Sequence, residues 1–243
     1  MYPGGGVGAY DRALTVFSPQ GHLYQVEYAE EAVKQGNLAL AVKFKDGILF
    51  GTVRQLTSPL LVSDSLSKIF PIEDHVVAEF SGITADARQL IKFCREKAEE
   101  HRIVYGSEIS IEKLTRELAD LLQVYTQYGG ARPFGVSFVL GGGRDGQRVY
   151  EIRPGGTILE YNACAIGAGF DKAIAFFEAH YKDGLSLEEA TSMLVGAISE
   201  SLGEKKKGKK IDGDRLELAA LNKKTDRLER FTKEQVAKAV EKA

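Results

Sequence analysis

The sequence predicts an α/β (α+β) fold, a four-layer α/β/β/α sandwich in which two sheets pack together and helix pairs cover the outside. Three observations lead there. Strand-like runs and helices occur in blocks (strands, two helices, strands, two helices, strands) rather than alternating as βαβ units would. Several helices carry one apolar face, which requires a sheet to cover it. Hydrophobic residues make up 44% of the 243 positions and charged residues 27%, the balance of a globular chain with a sizeable core.

The first dozen residues differ from the rest. Gly4, Gly5, Gly6 and Gly8 leave little to pack and much backbone entropy to lose, so residues 1–12 are expected to form a mobile tail. Fully extended, it would reach about 40 Å. Residues 13–243 are expected to form one domain. Pro19 and Gly21 mark a turn, and residues 23–34 then read as a helix ended by Gly36. Residues 37–44 and 47–53 are apolar runs split by Lys45-Asp46-Gly47, a hairpin signal, and 75–81 is a further strand.

Two amphipathic helices follow. Ala87, Leu90, Ile91, Cys94 and Ala98 share one face of the first. Ile111, Leu114, Leu118, Leu121, Leu122 and Tyr125 do so on the second, which Gly129-Gly130 stops. Strands are expected at 134–140, 148–152, 157–161 and 163–166, then a helix at 170–181. Ser186-Leu-Glu-Glu189 fits a capping box opening a helix to Leu202. Strands at 216–221 and 227–231 precede a last helix capped by Thr232-Lys-Glu-Gln235.

Charge and composition exclude several functions. Thirty-two Lys plus Arg against 34 Asp plus Glu leave −2, which argues against a chain that coats nucleic acid or anionic lipid. No apolar run approaches the roughly 20 residues of a membrane span. The N-terminus lacks the basic flank and apolar core of a signal peptide, so a cytoplasmic location is expected. Two cysteines, Cys94 and Cys164, and four scattered histidines offer no zinc or haem spacing, so no metal or cofactor is expected.

Generic catalytic motifs are missing too. Gly135-Val-Ser137 is only a fragment of a nucleophile elbow. Gly167-Ala-Gly169 precedes a helix, but Lys172 stands where a dinucleotide loop needs its third glycine. The basic run at 205–210 is flanked by Glu204, Asp212 and Asp214 and reads as a solvated loop, with a nucleic-acid site as the rival. No acidic pair stands out.

One long stretch has a specific likeness. YDRALTVFSPQGHLYQVEYAEEAV (residues 10–33) closely resembles the N-terminal signature of proteasome α-type subunits. The match continues through TSPLL (57–61), SKI (67–69), SGITADAR (81–88) and YTQYGGARPFG (125–135). The resemblance implies an outer-ring subunit of a self-compartmentalised protease, archaeal-like and homomeric in a heptameric ring, with the sandwich of the N-terminal-nucleophile hydrolase type. Implied partners are identical α subunits, proteolytic β subunits, an AAA ATPase activator docking through its C-terminal tails, and unfolded substrates in transit.

The resemblance also assigns residues. Active β-type relatives expose an N-terminal Thr that supplies hydroxyl and amine. Here Asn37 follows Gly36, Val53 stands at the expected acidic position, and Lys68 near the expected lysine has no nucleophile to serve. Catalytic silence is therefore expected, with an active N-terminal-nucleophile amidohydrolase as the alternative. Tyr10, Asp11, Arg12, Pro19 and Tyr28 resemble the cluster that holds the gating tails. Gly36, Lys68 and Gly82 match the pocket for an activator's C-terminal tail, where an ammonium suits a carboxylate. Tyr128, Gly129 and Gly130 resemble the inner constriction of the channel.

Overall fold

The computed structural model describes residues 15–55, 58, 60–144, 146–203 and 211–242. The tail and the run at 205–210 lie outside them. In chain order the elements are α1 (Tyr24–Lys34), β1 (Ala39–Phe44), β2 (Gly47–Val53), β3 (Ile69–Glu73), β4 (Val76–Gly82), α2 (Thr84–Tyr105) and α3 (Ile111–Gln127). There follow β5 (Val136–Gly142), β6 (Arg148–Ile152), β7 (Ile158–Tyr161), β8 (Ala163–Ile166), α4 (Phe170–His180) and α5 (Leu187–Leu202). The last three are β9 (Leu216–Asn222), β10 (Arg227–Arg230) and α6 (Lys233–Lys242).

Two five-stranded sheets result, ordered β10-β9-β2-β1-β8 and β3-β4-β5-β6-β7. Neighbouring strands are antiparallel throughout. The sheets pair because their strands are apolar on both faces. On β1, Leu40 and Val42 turn outward to α4 and α5, while Ala39 and Ala41 turn inward to the second sheet. On β4, Ala78 and Phe80 meet α2 and α3, while Val77 faces the inter-sheet core. The period of two thus builds three apolar seams and four layers.

Side-chain size is matched across the middle seam. A Cβ on Gly141 of β5 would lie 2.4 Å from the Phe50 ring, so the missing side chain is the space that Phe50 fills. Phe50, Phe80 and Phe138 are all fully buried. Each contributes about 1.5–3 kcal/mol through area removed from water.

The helix ends follow from their caps. Ser186 and Glu189 form the expected reciprocal box at α5. Thr232 and Gln235 exchange the same two bonds at α6, 2.8 and 3.3 Å long. Gly106 ends α2 in the left-handed conformation, its N–H donating to the Arg102 carbonyl. Gly129-Gly130 lies just past α3, whose C-cap is Tyr128.

One strand escapes the sequence reading. β3 contains Pro71, which interrupts the apolar pattern and breaks the register between Pro71 and Glu73. The strand survives because it sits at the sheet edge, where a residue without an N–H costs no ladder bond.

Candidate functional site

The site lies where α1 crosses one end of the sandwich. Ala29 and Val33 form the buried side of this helix, and no side chain caps its N-terminus. Its C-terminal turn is tied to both sheets. Ser81 Oγ on β4 donates to the Val33 carbonyl at 3.1 Å. From the other sheet, the Ala168 N–H after β8 donates to the Gly36 carbonyl at 2.9 Å. Gly36 packs directly on Gly82, and only a residue without a side chain fits there. Gly82 has φ +113° and faces the Gly135 carbonyl.

A charge clamp secures the loop beside it. Arg132 binds Asp86 through two parallel bonds of 2.7 and 2.8 Å, and the Gly135 N–H donates to the same carboxylate at 2.9 Å. Asp86 also lies in the first turn of α2, where the helix dipole favours an anion. Burial by itself raises this carboxyl, but the Arg132 and Gly135 bonds together with the Arg132 charge hold it below its ordinary range.

Lys68 is seated next to this end, over the Phe80 ring with Nζ 4.8 Å from the centroid. The residue is only 9% exposed. Its backbone N–H and Ser67 Oγ both donate to Glu217 of β9, at 3.1 and 2.6 Å, and Arg230 pairs with the same carboxylate. Glu79 of β4 is fully buried, and among the described residues neither of its oxygens completes a hydrogen bond. Burial, and then the charge of Glu217, push the Glu79 carboxyl well above its usual range; the charge of Lys68 offsets this only in part. Burial likewise lowers Lys68, against the pull of Glu79.

This cluster corrects the reading that no acidic pair stands out. Glu79 and Glu217 belong to different sheets, and only the stacking of the two sheets makes them neighbours. No spacing in the sequence records it.

The other anticipated residues are placed as follows. Tyr10, Asp11 and Arg12 lie outside the described residues. Pro19 stands exposed in the turn before α1, and Tyr28 is half exposed on that helix. Tyr128, Gly129 and Gly130 form an exposed loop after α3, whose base is pinned by Tyr125 packing on Phe134 at 4.6 Å between ring centroids.

The same geometry decides the chemistry at Asn37. The backbone runs on from α1 through Gly36, whose N–H donates to the Val33 carbonyl. Residue 37 itself carries an amide side chain, with no hydroxyl or thiol to act as a nucleophile. Thr52 has a hydroxyl, but it donates to the Leu38 carbonyl at 2.8 Å in a buried position. Val53 is buried and apolar.

Comparison with known proteins supplies the family. Residues 33–219 match the proteasome subunit family, and residues 10–32 match the N-terminal signature of A-type proteasome subunits. The proteasome alpha subunit of Picrophilus torridus is 44% identical over 231 residues, 95% of this chain and 96% of that protein. Its counterpart in Thermococcus sibiricus is 42% identical over 234 residues, 96% of this chain and 88% of the relative. That of Methanococcus vannielii is 40% identical over 243 residues, 100% of this chain and 90% of the relative. The chain belongs to the proteasome subunit family, as an α-type, non-catalytic member. Among the described residues no helix is long and apolar enough to cross a membrane.

Proposed function

We propose that the chain forms the heptameric outer ring of a cytoplasmic proteasome core, templates assembly of the proteolytic β ring and controls entry to it. The fold is then the N-terminal-nucleophile hydrolase sandwich with its cleft closed, residues 13–243 forming the domain. The observation that carries this reading is α1, tied to both sheets across the end of the sandwich. A hydrolase of this fold needs that ground clear for a free N-terminus.

Exposed apolar residues support burial against a neighbouring copy: Val16 and Phe17, ahead of the turn that precedes α1, and Tyr28 on α1 itself are 51, 65 and 49% exposed. Residues 1–12 serve as the gate, with Tyr10, Asp11, Arg12, Pro19 and Tyr28 linking adjacent tails. Their glycines make open and closed arrangements close in energy, as a switch requires. Gly36, Lys68 and Gly82 receive the C-terminal tail of an AAA ATPase activator. Tyr128, Gly129 and Gly130 line the constriction through which unfolded chain passes.

The test is the native mass of the purified chain, alone and with a β-type partner, followed by peptide hydrolysis by the assembled core. A sevenfold ring, and faster hydrolysis after deletion of residues 2–12, are expected. A monomer that ignores the β partner would overturn the assignment, and unchanged hydrolysis would remove the gate.

A further inference from the structure

At the end of β4 away from Gly82, three ligand-type side chains converge. Glu73 closes β3, His75 precedes β4, and Glu108 sits in the loop between α2 and α3. One ligand atom from each lies within 4.8 Å of the others. His75 is 4% exposed and Glu73 8%, so neither belongs to a solvated surface cluster.

The imidazole is oriented from behind. Its Nε2 lies 2.9 Å from the Ile109 carbonyl oxygen, which can only accept, so Nε2 carries a hydrogen and Nδ1 faces the carboxylates. Among the described residues, buried Nδ1 has no hydrogen-bond partner, and neither has Glu73 Oε2. Nδ1 stands 3.7 Å from Glu73 Oε2 and 3.6 Å from Glu108 Oε2, too far for a hydrogen bond.

Both carboxylates are held in the same manner. Arg102 binds Oε1 of Glu73, and Arg144 Nη2 lies 3.0 Å from Oε1 of Glu108. Each Oε2 is left turned toward His75. Outer hydrogen bonds to every ligand, imidazole and carboxylate alike, are the support that fixed metal ligands require. The spacing fits at the imidazole and asks the carboxylates to close in. A tetrahedral centre with bonds of about 2.1 Å sets its ligand atoms roughly 3.4 Å apart, a few tenths of an ångström inside the two His75 distances and well inside the 4.8 Å that bounds all three atoms, so the partly exposed Glu108 would move toward Glu73 on binding.

We propose that Glu73, His75 and Glu108 form a divalent transition-metal site, best matched to Zn²⁺, that clips the β3–β4 turn to the α2–α3 loop. Magnesium and calcium select oxygen ligands, whereas one imidazole with two carboxylates suits zinc. Three protein ligands leave a fourth position for water. The Glu108 side chain is 33% exposed and provides the route in. Arg102 and Arg144 are both more than half exposed, so solvent screens their competition with the ion.

The test titrates the metal-free full-length chain with zinc chloride, following heat release and the unfolding temperature, in wild type and Glu108→Gln. Glu108 is on a loop and partly exposed, so this variant keeps the buried packing intact. One ion per chain and a raised unfolding temperature are expected. The variant should bind more weakly by more than the about 10–100-fold typical of losing an outer-shell partner. X-ray absorption on the wild-type zinc form should show one imidazole nitrogen with oxygen neighbours at about 2.0–2.2 Å. Replacing His22, His101 and His180 by Gln should leave uptake unchanged. Failure to take up zinc would overturn the site. Equal binding by Glu108→Gln, or a spectrum with several imidazoles, would also overturn it by placing the ion on other histidines.

Discussion

A Cβ placed on Gly36 would lie 2.3 Å from the Gly82 amide nitrogen, so the turn after α1 touches the end of β4 backbone to backbone. Backbone cannot swing aside as a side chain does. Gly36→Ala must therefore push α1 off the sandwich or distort β4, at a cost of about 1–3 kcal/mol. Urea unfolding measures it. Gly129→Ala is the control, since nothing lies within 4 Å of its added Cβ. Its unfolding midpoint should stay within error of wild type.

The Asp86–Arg132 clamp makes stability depend on acid. A carboxyl held below its unfolded value contributes stability that is present above that value, about 3.9, and is lost as pH falls through the folded one. Asp86→Asn should cost about 1.5–3 kcal/mol at pH 7, the range for hydrogen bonds to a charged group. The gap between variant and wild type should narrow below about pH 4. A gap that is the same at pH 3 and pH 7 would mean that the clamp does not act through its charge.

How much of this was legible in the sequence depends on distance along the chain. The capping boxes at Ser186 and Thr232, the amphipathic faces of α2 and α3, and β2, β6 and β8 are all local patterns, and each lies where its residues predict. β3 was hidden by Pro71, because its edge position is a property of the sheet and not of the segment. The Glu79–Glu217 pair and the Glu73–His75–Glu108 triad were illegible for the same reason: their members come from separate elements. Gly36 reads locally as a helix stop, but its pairing with Gly82 could be anticipated only by family likeness. Their contact shows the physical requirement that makes glycine necessary at Gly36.

Glu79 should reverse the usual behaviour of a carboxylate. Its folded value is raised by burial and by Glu217, so the native state holds a proton that the unfolded chain releases. Stability then falls as pH rises above the unfolded value of about 4.3 and goes on falling until the folded group ionises. Glu79→Gln should gain stability relative to wild type as the pH is raised from 4 to 8, because the variant has no proton to give up on unfolding. The gain should vanish near pH 4. Denaturant midpoints across that interval test it, and a variant less stable at pH 8 than at pH 4, relative to wild type, would refute the sign.

Lys68 has two possible partners, and they can be separated. Its ammonium is buried with Glu79, while the proposed docking role gives it the terminal carboxylate of an activator. Lys68→Ala should abolish ATPase-stimulated degradation by the assembled core while native mass and unstimulated peptide hydrolysis hold. That loss alone fits both roles, since removing the lysine also changes the buried surroundings of Glu79. The double variant Lys68→Ala, Glu79→Gln decides between them. If the lysine only compensates Glu79, neutralising the glutamate makes compensation unnecessary and stimulation returns toward wild type. If the lysine receives the incoming carboxylate, the double variant stays as unresponsive as the single one, and docking is the function of the buried ammonium.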